Sequence, residues 1–134
     1  TARGALWNGS EWQSLGGGSS GGVLALTVYN GDLIAGGDFI TGGAVGADSV
    51  ARWDGVAWQP LGGGIGQTPN VDALASYGNE LIVGSRMYRV DNDFIAEVLG
   101  WNGTSWRSLG SGMTGSAADP YPQIHTLTVC LRAN

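Results

Sequence analysis

Short apolar runs, each closed by glycine or a turn residue, recur along this chain in one fixed order. Val23-Leu24-Ala25-Leu26-Thr27-Val28-Tyr29 is matched by Val71-Asp72-Ala73-Leu74-Ala75-Ser76-Tyr77. Each run is followed by a turn, Asn30-Gly31-Asp32 or Gly78-Asn79-Glu80. Asn-Gly between apolar runs predicts a two-residue hairpin, because both residues tolerate positive φ. A second strand follows, Leu33-Ile34-Ala35-Gly36-Gly37, mirrored by Leu81-Ile82-Val83-Gly84-Ser85. After a loop comes the third, Ser49-Val50-Ala51-Arg52-Trp53, mirrored by Glu97-Val98-Leu99-Gly100-Trp101. Asp54-Gly55 and Asn102-Gly103 then turn the chain into a fourth strand around Trp58 and Trp106. No window carries apolar residues at i, i+3, i+4 and i+7, so no helix is predicted.

The third and fourth strands hold the clearest repeat. Trp7-Asn8-Gly9-Ser10-Glu11-Trp12 returns as Trp53-Asp54-Gly55-Val56-Ala57-Trp58 and again as Trp101-Asn102-Gly103-Thr104-Ser105-Trp106. The offsets are 46 and 48 residues, and all six tryptophans lie in these copies. That period fits one four-stranded propeller blade better than a coil of a stacked solenoid, which is usually shorter. The expected fold is all-β: four-stranded antiparallel blades of a β-propeller, roughly two and a half to three of them. Residues 5–22 supply the third and fourth strands of one blade, 23–70 and 71–116 two full blades, and 117–134 the first strand of a further one. Residues 33–55 and 81–103 match in length without a gap, yet 38–47 and 86–95 diverge most. Variation held inside a fixed frame is how repeat scaffolds present a binding face.

Leu33-Ile34-Ala35-Gly36-Gly37-Asp38-Phe39, with Ala51-Arg52-Trp53-Asp54-Gly55 and Trp58-Gln59-Pro60-Leu61-Gly62, resembles the Kelch-related, galactose-oxidase-type propeller repeats of secreted bacterial proteins. The resemblance runs from Ala5 to about Val129. The five-residue spacing of the aromatic pair is tighter than in typical Kelch units, and Ser85 replaces the second glycine of the later copy. What it implies is an extracellular or cell-surface module that recognises protein or glycan through its loops. The copper oxidases of this fold use several histidines and tyrosines, one tyrosine cross-linked to cysteine. That set is missing, so no catalytic residue carries over.

Composition narrows the partners. The net charge is −5 with only six basic residues, too few for a stripe that tracks phosphates, so nucleic acid is not expected. No apolar run reaches the length of a membrane span. The single cysteine, Cys130, excludes an internal disulfide. Glycine, at 25 of 134 residues, falls between apolar runs and reads as turns and strand ends.

Catalytic constellations are sparse. His125 is the only histidine, in a strand-like stretch, and Cys130 has no partner motif, so neither a His-based metal site nor a thiol nucleophile is expected. Gly16-Gly17-Gly18 and Gly62-Gly63-Gly64-Ile65-Gly66 lack the Lys-Ser/Thr of a phosphate loop and read as connections between blades. Asp91-Asn92-Asp93 has alternate oxygen ligands but not the glycine and glutamate of a calcium loop, so it reads as a solvated turn. Asn8-Gly9-Ser10 and Asn102-Gly103-Thr104 match a glycosylation acceptor, but their counterpart Asp54-Gly55 does not, so turn geometry selects the residue.

The candidate ligand-contact residues are Trp7, Trp12, Trp53, Trp58, Trp101 and Trp106, whose first job is packing between sheets. Of each pair, at least one ring is expected against an adjacent blade; the other, where exposed, would be a platform for a sugar. No cofactor and no catalytic or metal-binding residue is expected. After Val129 no hairpin follows Ile124-His125-Thr126-Leu127-Thr128-Val129, so the last blade is expected to be incomplete. Flanking blades of a longer chain, a ring completed by strand exchange between copies, or a head-to-tail filament would each supply the missing strands. Three functions follow: a non-catalytic binding or structural module, a self-assembling subunit, and a tryptophan-based lectin.

Overall fold

The computed structural model describes residues 5–14, 21–38, 41–42, 45–46, 49–62, 70–88, 94–110, 113–114, 124 and 126, and among them every regular element is a strand. A hairpin comes first, β1 (Ala5–Trp7) with β2 (Trp12–Ser14). One antiparallel four-stranded sheet then follows chain order: β3 (Val23–Tyr29), β4 (Asp32–Gly37), β7 (Val50–Trp53) and β8 (Trp58–Pro60). Between β4 and β7, β5 (Thr41–Gly42) and β6 (Val45–Gly46) pair only with each other. The second sheet repeats the order with β9 (Asn70–Tyr77), β10 (Glu80–Tyr88), β11 (Phe94–Trp101) and β12 (Trp106–Ser108). The short β13 (Met113–Thr114) adds to the far end of β11.

Local turn chemistry explains the registers. Asn30 and Gly31 both adopt positive φ, 50° and 82°, as a type I′ turn requires, and Tyr29 faces Asp32 across it. In the second copy Gly78 alone is positive, at 57°, the sign pattern of type II′. The tryptophan hairpins share a different device. Asn8, Asp54 and Asn102 each accept, on one side-chain oxygen, the backbone N–H groups two and three residues on, at 2.8–2.9 Å. Gly9, Gly55 and Gly103 follow at φ 104°, 102° and 101°. Asparagine and aspartate thus do the same work, as the sequence comparison of the three turns implied.

The divergent stretch of constant length folds in two ways. A loop was expected in both copies; instead β10 and β11 continue as a ladder from Leu81↔Trp101 out to Tyr88↔Phe94. Tyr88, Phe94 and Ile95 are strand-forming types, which carries the ladder outward. In the first copy Asp38 ends the pairing: its N–H donates to the Gly22 carbonyl at 3.1 Å, and its carboxylate accepts the Gly22 N–H. Among the described residues beyond it, Thr41–Gly42 and Val45–Gly46 pair as the small β5–β6 hairpin.

The sheets pack face to face. Tyr29, Ile34, Val50 and Leu61 of the first meet Val71, Leu81, Val83 and Trp101 of the second in one buried cluster. Ile34, Leu81, Val50, Val71 and Val83 are fully buried, each contributing about 1.5–3 kcal/mol by leaving water. Glycine permits the approach: a Cβ at Gly36 would lie 2.9 Å from the Val71 Cβ. On the far side of the second sheet, Gly84 stands in the same relation to Ile124, whose Cγ2 and Cβ would be 2.7 and 3.0 Å from its added carbon. Gly84 is the repeat counterpart of Gly36, and Ile124 that of Val71, so the same glycine-to-branched-residue contact occurs twice in frame.

Two stability changes are expected, both measurable by urea unfolding. Gly36→Ala pushes against the branch carbon of a buried valine and should cost about 1–3 kcal/mol. Ser85, at the position of Gly37 in the first copy, is completely buried with an unpartnered hydroxyl. Ser85→Ala should therefore raise stability by about 1 kcal/mol; a loss would show that the hydroxyl is satisfied in solution.

Candidate functional site

The tryptophans sort by which face of which sheet they occupy. Register pairs Trp7 with Trp12, Trp53 with Trp58 and Trp101 with Trp106, directly across their hairpins. Both rings of a pair therefore share one face, with centroids 5.5, 5.3 and 5.0 Å apart. At least one ring of the second and third pairs is buried, in keeping with the expectation for each pair, whereas both rings of the first pair are exposed. The four-residue hairpin loop sets the two residues opposite each other, and opposite residues point the same way.

At the joint, both rings of the third pair face the first sheet. Trp101 is buried, with its Cη2 and Cζ3 edge where a Cβ on Gly62 would stand, 2.7 and 2.8 Å away. Gly62 itself has a φ of 63°. Trp106, half-buried, donates its Nε1–H to the Leu61 carbonyl at 3.3 Å. Tyr29 completes the joint from the first sheet, its hydroxyl donating to the Asn79 carbonyl at 2.8 Å. The second pair lies on the other face of the first sheet, Trp58 buried and Trp53 half-buried, in a small cluster with Ala35, Ala51, Val23 and Leu33. The first pair is open: Trp7 is 50% and Trp12 69% exposed. Beside the second pair's face, β3 presents Leu24, Leu26 and Val28 to solvent.

A cleft of about 360 Å³ opens where the two sheets meet, walled by Tyr29, Leu61, Gly62 and the Trp101 ring. Asp32 and Arg52 line it as an ion pair at 2.8 Å. The equivalent acid of the second sheet, Glu80, is held in a two-bond pair by Arg107 at 2.8 and 2.7 Å. The guanidinium keeps the Glu80 carboxyl below its usual range, and Glu80 raises Arg107 in turn. A third pair, Arg86 with Asp72 at 2.6 and 3.0 Å, ties β10 to β9 at its bulge. The sequence reading passed over these acids. For Asp32 and Glu80 the signal was present: each follows its hairpin turn at the same place in the repeat, with an arginine within two strands.

His125, Cys130 and Asp91-Asn92-Asp93 lie outside the described residues, as do Gly16-Gly17-Gly18 and Gly63-Gly64-Ile65-Gly66. Among the described residues no three His, Cys, Asp or Glu side chains gather where they could hold a metal ion. No described helix is long and apolar enough to cross a membrane. Compared with protein-family models, curated proteins and solved structures, the chain matches none.

One exposed carboxylate, Asp54, contributes to the acidic side of the stability profile. The N–H groups of Ala57 and Val56, then the Gln59 amide, hold Asp54 below its ordinary value. A depressed folded pKa adds stability above the unfolded value and loses it as pH falls through the folded one. Asp54→Asn, which copies the sister turns, should leave stability at neutral pH nearly unchanged and flatten the decline below about pH 4. Denaturant midpoints across that range decide it; an unaltered slope would contradict the assigned hydrogen bonds.

Proposed function

We propose that the chain is a run of propeller-type blades serving as a non-catalytic structural or binding module outside the cell, with the divergent stretches at 38–47 and 86–95 as its recognition surface. The observation that carries this reading is the contact made twice in frame, Gly36 against Val71 and Gly84 against Ile124. A contact repeated in frame is what an array of units, each packed on its neighbour, requires. The resemblance to Kelch-related, galactose-oxidase-type repeats points the same way. So does the contrast between the two divergent stretches, which share a length and differ in fold within a constant frame.

A tryptophan-based lectin is the weaker reading. Trp101 and Trp106 are turned into the joint, and Trp58 is buried, which leaves the Trp7–Trp12 pair as the main exposed aromatic platform among the described residues.

The test is a loop exchange in which residues 38–47 receive the sequence of 86–95. The chimera should unfold at a denaturant midpoint close to the parent's. Arrays of glycans and of extracellular proteins, probed with both chains, should show any ligand of the parent lost or changed in the chimera. Retention of every ligand would remove these stretches as the recognition surface. Collapse of the chimera would show them to be part of the frame.

A further inference from the structure

The Trp101–Trp106 hairpin, its seat and Tyr29 each have repeat counterparts on this chain, of which Trp7, Gly9, Trp12, Tyr77 and Gly110 are exposed and Leu109 is half-buried. In the filled joint the Trp101–Trp106 hairpin seats on Leu61 and Gly62, while Tyr29 reaches over to the turn at Gly103, its hydroxyl 3.9 Å from where a Cβ there would stand. The hairpin's counterpart is Trp7–Trp12, with Gly9 in the place of Gly103. Both rings are at least half exposed, and a Cβ on Gly9 would meet nothing within 4 Å. The seat's counterpart is Leu109 and Gly110, with Tyr77 in the place of Tyr29. Gly110 has the same left-handed backbone as Gly62, φ 95° against 63°, and a Cβ there likewise meets nothing within 4 Å. Tyr77 is 52% exposed where Tyr29 is 5%.

We infer that the Trp7–Trp12 hairpin of one copy of this chain seats on Leu109, Gly110 and Tyr77 of a second copy, reproducing the filled joint between chains. The inference rests on the blade reading, since it transfers a contact between repeat-equivalent positions. It names the occupant because one chain carries both halves, so identical copies suffice. The contact is head-to-tail: the hairpin of one copy meets a different surface of the next, and a ring results when the rotation closes. The geometry assigns roles in turn. The Trp12 Nε1–H donates to the partner's Leu109 carbonyl, as Trp106 does to Leu61, and the Trp7 ring covers the partner's Gly110, as Trp101 covers Gly62. Two buried indoles and a tyrosine are the side-chain types that dominate association energies.

Sedimentation of the whole chain tests this with two variants. The parent should sediment as two or more copies, with association that depends on concentration. The double variant Trp7→Ser and Trp12→Ser removes the hairpin's rings, and Tyr77→Glu places a charge in the seat. All three changes are at exposed side chains, so folding should persist, as circular dichroism would verify. Each variant alone should weaken association by about thirtyfold or more. An equimolar mixture of the two should recover a dimer, because one intact hairpin then meets one intact seat. A monomeric parent, variants that associate like the parent, or a mixture that stays monomeric would each overturn the inference. Gly62→Val separates its failure from that of the blade reading. This change should unfold the intrachain joint whatever the oligomeric state, and only its indifference would count against the blades.

Discussion

Two β-faces come close enough to exclude water only because glycine stands where they would otherwise collide. Gly36 admits Val71, Gly62 admits the edge of Trp101, and Gly84 admits Ile124. A four-stranded sheet has two faces, and in a two-layer arrangement one must find cover. Here cover comes from the neighbouring sheet. Ile34 and Val50 on one side, with Val71, Leu81 and Val83 on the other, leave water only through that approach. The cleft beside Asp32 and Arg52 and the placement of the third tryptophan pair are consequences of the same spacing. Glycine in a strand ordinarily weakens it, so its place within β4 and β10 reflects close contact across the face rather than strand preference.

Much of the architecture was legible in the residues. Asn30-Gly31 announced its hairpin, the four strands of each unit fell where the apolar runs lay, and the copies aligned as two sheets of identical order. The facing of the tryptophans was not legible from their spacing. Trp58 follows Trp53 by five positions, and only the turn held by Asp54 makes them direct cross-strand partners. The fate of the divergent stretch was also hidden, because its length is constant while its chemistry changes. Asp38 closes one ladder against Gly22, whereas Arg86 at the equivalent position pairs with Asp72 and lets the other continue.

The six tryptophans were read as one class and turn out to be three. One sequence motif yields a buried joint, a half-covered outer face and an open pair, according to what lies in front of it. Repetition in sequence fixes which contacts a motif is able to make. It does not fix which of them are made, since that depends on the neighbour. The same logic separates Tyr29 from Tyr77, identical in type and register and opposite in exposure.

The ion pairs of the two sheets hold a lesson about inheritance. Asp32 takes its arginine from the third strand of its sheet, Arg52, while Glu80 takes its own from the fourth, Arg107. The unused positions are complementary: Gln59 stands opposite Arg52, and Gly100 opposite Arg107. A transplanted third strand alone would leave one acid with two cations or with none. The heritable module of such an array is therefore the whole hairpin of third and fourth strands. Duplication or recombination that cuts at its flanks preserves charge matching, and a crossover through the turn at Asp54 or Asn102 breaks it.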